Sequence, residues 1–507
     1  MLRSWSGAGK MSTIRKKPWR KRLGLALAIA ILAAWICYVA VFVYRLNYGG
    51  GEVLTPEVQQ LASQELQEEW FTIYQHGNRT GYSHTEIRPR SEGYALTEEL
   101  FLRLDFLGDI QDLFTRVQAK LEPDFSLKSF TFRLQAGPIY YNLSGGIKDG
   151  SLLLVSQMAG QERSQQLPLS HPIYLGSGMK SFIAQQSLRE GNTYRLALFD
   201  PSTLSQTMVP LRVEAKETIQ IGSRNLEAYR VVLEFHGVKL RTWVSPYGEV
   251  LKEEGFLGLT MVRSDRKDAV AGFAEATPAE LVREAAVVPD RTIARPRLLR
   301  SLRLQLTGIT GEGWDLAGGR QQLSEGELFI VREVLPQISS VQIPLSTAEM
   351  ARDLQPSLLV QSDEPILQEQ AAAIVGEEKD ALRAVELISS WVYHNLEKRP
   401  TLSIPNAFGV YKMRAGDCNE HSVLFAALAR SVGVPTRIVA GLLYTKGRFY
   451  YHAWNEVYVG EWVAVDSLLN QVPADPTHVR LITGGLDRQV RLVRVLGRLG
   501  IKVIDYE

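Results

Sequence analysis

Cys418 lies in the run Gly416-Asp417-Cys418-Asn419-Glu420-His421, just ahead of the apolar stretch 423–429, and His452 and Asp466 follow it in that order. These are the residue types a thiol nucleophile requires. An imidazole takes the thiol proton and later returns it to a leaving group, while a carboxylate orients the ring and stabilises its cation. The chemistry expected is attack of sulfur on a carbonyl to give a thioester. Each residue also has a structural alternative: a cysteine serving as a small hydrophobe, a packed strand histidine, an aspartate capping a turn. His421 is a rival base, but it would lie along the cysteine's own helix and not across a cleft. The joint pattern outweighs the separate alternatives.

The elements around these residues must bring them together. Asp417 with Glu420 three positions later reads as a capping box that starts a helix over 418–430, and Gly433 and Pro435 supply its stop. That helix is apolar on every face, which predicts a central, buried position. A cysteine at the positive end of a helix is expected to have a thiol pKa below the free value of about 8.5, and its backbone N–H is a natural donor to a developing oxyanion. Asn406, Tyr411 and Trp391 are the candidates for a second donor. Residues 437–444, 449–459 and 462–467 read as strands. A three-residue loop at 459–461 would pair Tyr458 with Trp462 and put His452 and Asp466 on one face as diagonal neighbours, whereas a two-residue loop would put them on opposite faces. Upstream, Ala381, Ala384, Val385, Ile388, Trp391 and Val392 have helical spacing, predicting an amphipathic helix over 380–396.

Four runs carry a family resemblance: Gly416-Asp417-Cys418 with its apolar helix, Gly433-Val434-Pro435-Thr436-Arg437, Tyr451-His452-Ala453-Trp454-Asn455-Glu456-Val457, and Glu461-Trp462-Val463-Ala464-Val465-Asp466. Together, over about residues 371–481, they resemble the transglutaminase-like superfamily in its bacterial form. The resemblance implies a papain-like α+β core, with the cysteine on a helix against an antiparallel sheet and Cys418, His452 and Asp466 as the triad. One departure is Ser467-Leu468, where many relatives have a proline after the aspartate. The calcium sites of animal transglutaminases are not recognisable, so no metal and no cofactor are expected.

The rest of the chain sets the context. With 507 residues it is long enough for two or three domains. Eight basic and no acidic residues fall within 1–22, and 23–44 then runs without a charge. This predicts a cytoplasmic basic tail and a single uncleaved transmembrane anchor in contact with lipid, leaving the remainder periplasmic or extracellular. Without the tail, 49 of the 57 basic residues face 55 acidic ones, so nucleic acid is not an expected partner. The two cysteines are Cys37, inside the apolar run, and Cys418, so the exported part can form no internal disulfide. Alternating patterns with glycine breaks predict an antiparallel β-rich domain over 60–268, with a hairpin at 231–244. His76, His84, His171 and His236 are scattered there without ligand spacing. Residues 270–295 read as a linker, 296–350 as an accessory β segment, and 362–507 as the transglutaminase-like domain. The function expected is that of an envelope thiol enzyme acting on carboxamide or peptide bonds of a protein or peptide. The alternatives are a catalytically silent peptide-binding scaffold, or an envelope protein that binds lipid or a partner through an apolar cavity in its β-rich half.

Overall fold

The computed structural model describes residues 66–507, apart from positions 107, 138, 159–160, 185, 187, 236–237, 256, 310–311, 336–339, 346–347 and 402. The basic tail 1–22 and the apolar run 23–44 lie outside the described residues. Among the described residues no helix is long and apolar enough to cross a membrane.

Alternation of apolar and polar residues builds the first half. In strand Leu127–Ala136, Phe130, Phe132, Leu134 and Ala136 are buried while Arg133 and Gln135 are exposed, so one face of the strand must be covered. Strands with this pattern form two meanders, zipped together where Gln67–Gln75 pairs with Leu259–Ser264, into one 15-stranded sheet. The predicted hairpin is present, with Arg224–Phe235 antiparallel to Val238–Val244. Phe71, Phe132, Tyr141 and Phe199 fill the interior. Helix Gly176–Ala184 packs on the same core through Met179, Phe182 and Ile183, held by Ser177 on Glu98 (2.5 Å) and by Lys180 on buried Glu253. Beside Met179 and Ile183 only about 20 Å³ stays open, against the several hundred Å³ that a ligand pocket needs. Aromatic side chains pack the interior there, while a cleft of about 420 Å³ opens beside the polar side chains of Arg116, Thr131, Arg133, Tyr140, Asn142 and Gln157.

Residues 270–295 are not a free linker. Ala279, Leu281, Val282, Ala285, Val287 and Ile293 are buried, and the segment bridges the halves by pairing Ala279 with Leu104 and Val287 with Phe449. Its apolar residues are what hold it down, because a solvated linker would leave them exposed. Strands Ser301–Thr307, Gln321–Ser324 and Glu327–Val331 then form a small sheet, completed by the last strand of the chain, Gly500–Tyr506. The carboxy-terminal strand thus crosses back over the expected boundary at 362. A buried Arg480–Glu456 ion pair (2.6 Å) and the two-way bonding of Gln321 with the Arg480 backbone fix this sheet on the core.

The core has helices Pro365–Val375, Ala381–Asn395, Ala407–Met413 and Cys418–Ser431 on a four-stranded antiparallel sheet. Its strand order is Trp462–Val465, Arg448–Tyr458, Thr436–Thr445, His478–Thr483. Every residue from Cys418 to Ala429 is buried, as the absence of a polar face requires. Full burial of side chains such as Leu424, Phe425 and Leu428 contributes roughly 1.5–3 kcal/mol each. The fourth strand, His478–Thr483, was not expected.

Gly441 lies opposite His452. A Cβ built there would meet the Val479 carbonyl oxygen at 2.0 Å and the Trp454 ring at 2.8 Å. The missing side chain lets the sheet close while the rings of His452, Trp454 and His478 pack on one face, with His452 and His478 centroids 5.7 Å apart. Gly441→Ala is expected to cost about 1–3 kcal/mol, read as a lower urea midpoint at unchanged m-value, and to displace Trp454, read in its fluorescence.

Candidate active site

The cysteine's position is set by its own first turn. Asp417 is the N-cap and accepts the Asn419 N–H at 2.8 Å, while the Glu420 carboxylate reaches back to the Asp417 N–H at 3.0 Å, which completes the predicted capping box. Gly416 is the residue that permits this. A Cβ there would sit 2.2 Å from the Glu420 Cβ, too close for the carboxylate to fold back. Cys418 is consequently the first helical residue, where a backbone N–H points out of the helix end.

His452 and Asp466 come from neighbouring strands. Tyr458 pairs with Trp462, so the loop has three residues, as the triad geometry demanded. The strand ends at Val465, and Asp466 opens a turn closed by its backbone pairing with Gln471 and by the Leu469 N–H on its Oδ1 at 3.0 Å. Its Oδ2 then accepts His452 Nε2 at 2.7 Å. Because Nε2 holds the proton of that bond, Nδ1 of a neutral His452 carries the lone pair, and it has no hydrogen-bond partner among the described residues. The thiol lies against the same strand one residue along, where the backbone N–H of Ala453 acts on it. The structure thus brings the cysteine helix, the imidazole and the carboxylate to one place.

Burial governs the charges. Burial first, and then the Asp417 carboxyl, push the Cys418 thiol well above its ordinary range, and the Ala453 N–H does not offset them. The lowered thiol pKa expected from the helix dipole is overturned. The first turn carries two buried carboxyls, Asp417 and Glu420, and the sulfur itself is 0% exposed, so desolvation of a thiolate outweighs a dipole effect of about 0.3–1 kcal/mol. Burial also lowers His452 below 6.5, against the opposing pull of Asp466. Asp466 remains ionised: burial would raise it, but the two imidazoles that it contacts hold it far below the usual carboxylate range. The resting site is a neutral thiol, a neutral base and a carboxylate.

The other candidates have different places. His421 donates Nδ1–H to the Asp417 carbonyl at 2.6 Å, and burial lowers it to about 4. Asn406 caps helix Ala407–Met413 by accepting the Gly409 N–H, Tyr411 donates to Gln370, and Trp391 stacks near Tyr411 under Arg414. His478 is bonded to the same Asp466 Oδ2 at 3.0 Å. The β-branched and apolar residues Val479, Leu481, Ile482 and Thr483 could have signalled its strand, but nothing in them points to Asp466. Among the described residues, His452, Asp466 and His478 form the one group of metal-ligating types close enough to share an ion, with ligand atoms within 4.8 Å of one another. Both rings direct N–H groups at Oδ2, and those protons occupy the place an ion would take.

The family model of the transglutaminase-like superfamily matches residues 368–467. No curated protein matches the chain. Similar solved structures include a candidate cysteine protease from Cytophaga hutchinsonii, 18% identical, covering 41% of this chain and 86% of that one with a TM-score of 0.27. A β-barrel-like protein of a domain of unknown function from Brucella abortus is 12% identical, covering 39% and 95% with a TM-score of 0.31. A candidate protease from Parabacteroides distasonis is 10% identical, covering 80% and 67% with a TM-score of 0.22. The cysteine helix, the histidine strand and Asp466 all fall inside the residues that match the model of the transglutaminase-like superfamily.

Proposed function

We propose that the chain is a thiol acyl-transfer enzyme. The observation that carries this reading is the His452 Nε2 to Asp466 Oδ2 bond, which leaves Nδ1 of a buried, neutral imidazole as the available base. As sulfur attacks a carboxamide or peptide carbonyl, the thiol proton passes to Nδ1, and Asp466 stabilises the imidazolium that forms. The Cys418 backbone N–H faces the oxyanion. Collapse of the tetrahedral intermediate breaks the C–N bond, the amine leaves with the proton from His452, and a thioester remains on Cys418. Water resolves it to an acid, or a second amine resolves it to a new amide, and each route regenerates the thiol.

The basic segment 1–22 followed by the uncharged run 23–44 supports a membrane anchor, with the described residues outside the cytoplasm and a protein or peptide of the cell envelope as substrate. The full burial of Cys418 favours a second reading, a catalytically silent scaffold whose cleft holds peptide without turning it over.

The two readings separate on trapping. Incubation with an activated ester is expected to leave an acyl adduct on the Cys418 peptide by mass spectrometry, formed about 100-fold or more slowly in His452→Ala. A Cys418 adduct that forms at the same rate without the imidazole removes the proposed base. Adduct-free protein favours the scaffold. The pH dependence has a definite sign: His452 must be neutral to accept a proton and burial lowers its value, so the acid limb of the acylation rate is expected to have its midpoint below 6.5, the ordinary imidazole value.

A further inference from the structure

Three buried imidazoles lie at Asp466 and on the cysteine helix, and their hydrogen-bond partners decide which of them is charged. His421 donates from Nδ1 to a carbonyl and has no partner at Nε2 among the described residues. His452 donates from Nε2 to Asp466 and has none at Nδ1. Each is satisfied by one proton. His478 differs, because both of its nitrogens face acceptors. Nε2 lies 3.0 Å from Asp466 Oδ2, and Nδ1 lies 3.1 Å from the Asp475 carbonyl oxygen and 3.6 Å from its Oδ1. A neutral ring has a single N–H and would turn a lone pair toward one of these oxygens. The side chain is 0% exposed, so water cannot repair the mismatch. Two protons satisfy it.

From the thiol outward the charges therefore alternate. Neutral His452 meets anionic Asp466, then cationic His478, then anionic Asp475, and at the far end Arg297, with Nη1 at 3.4 Å from Asp475 Oδ2. Asp475 is itself fixed by Thr477 N–H on Oδ1 at 2.9 Å and by Gln471 Nε2 on Oδ2 at 3.0 Å. The indole of Trp454 stands edge-on to the His478 ring at 5.3 Å and shields it from the side. The remaining titratable groups near the chain are Lys398, whose charge is felt at His421 and Asp466, and Asp417, Cys418 and Glu420 on the cysteine helix.

Resting on the acyl-transfer reading above, we propose that His478 is a positioning residue of the Cys418 site. As an imidazolium clamped between two carboxylates, it pins Asp466 Oδ2 and sets how strongly that carboxylate supports a proton on His452. Its own raised pKa, which the two aspartates win against burial, agrees with the hydrogen bonding. A buried carboxylate facing His452 alone would hold that ring protonated at neutral pH, and a protonated ring cannot accept from the thiol. The second imidazole takes up part of that field and leaves Nδ1 of His452 basic and empty.

The test is the rate of alkylation of Cys418 by iodoacetamide in the full chain, followed on the Cys418 peptide from pH 4 to 9. His478→Gln keeps an N–H donor for Asp466 and removes the cation. Its acid limb is expected to move up by about one pH unit, a tenfold loss at a pH on the limb, while the plateau stays within a few-fold of the unsubstituted protein. His478→Leu removes donor and charge together, and should show the same displacement with a plateau more than tenfold lower. Circular dichroism and a thermal melt establish that each variant is folded, and His478→Gln alone decides the matter if the leucine variant is not. An acid limb that stays put in folded His478→Gln overturns the proposal whatever happens to the plateau, since packing alone would account for a plateau loss. His452→Ala separates this from failure of the underlying reading. If that variant keeps the unsubstituted profile, the triad is wrong; if it abolishes the limb while His478→Gln does not shift it, the triad stands and the role of His478 falls.

Discussion

Asp466 is a carboxylate taken almost wholly out of water, with 1% of its surface exposed. A charge in that position is tolerated only when its oxygens are met by hydrogen-bond donors. Three meet it: the Leu469 N–H on Oδ1 and the two imidazoles on Oδ2. Each donor is delivered by a different piece of chain, so the turn after Val465, the strand carrying His452 and the strand carrying His478 must all be placed before the charge can be buried. The sheet is organised around this need. Gly441, between the two histidine strands, has no side chain because the space is taken by the rings and by the neighbouring backbone.

The thiol is controlled by a different balance. A helix start favours a thiolate, but the residues that build this start are themselves carboxyls, and burial raises both Asp417 and Glu420 along with the cysteine. Desolvation wins because it acts on the whole charge, whereas the dipole supplies only a fraction of one at the helix end. Reactivity in such a site is held in the imidazole. On the acyl-transfer reading proposed above, the thiol waits as a neutral group until a base with an empty nitrogen takes its proton during attack.

The β-rich half bears on the core through packing. Its interior is filled by aromatic side chains and a short helix. Its contacts with the core run through the buried segment around Val287, through the bidentate pairing of Arg163 with Asp363, and through the Gln111 side chain on the Pro400 carbonyl. The accessory sheet binds the opposite partners, Arg480 and the strand that follows His478. Residues 317–321, far back in the sequence, thus pack on the strand that carries the second histidine.

Local rules made much of this legible beforehand. The capping box, the all-apolar helix and the alternation in the strands depend on residues within a turn or a hairpin of each other, and they placed Cys418 at its helix start. The parity of a three-residue loop likewise put His452 and Asp466 on one face. The same text could not reveal that His478 shares the Asp466 oxygen, because that contact depends on a fourth strand pairing with the far side of Thr436–Thr445. Nor could it give the sign of the shift at Cys418, since desolvation is a property of everything packed around a group and not of its neighbours in the chain. Residue types and short-range periodicity determined which groups could react; long-range packing decided which of them are charged.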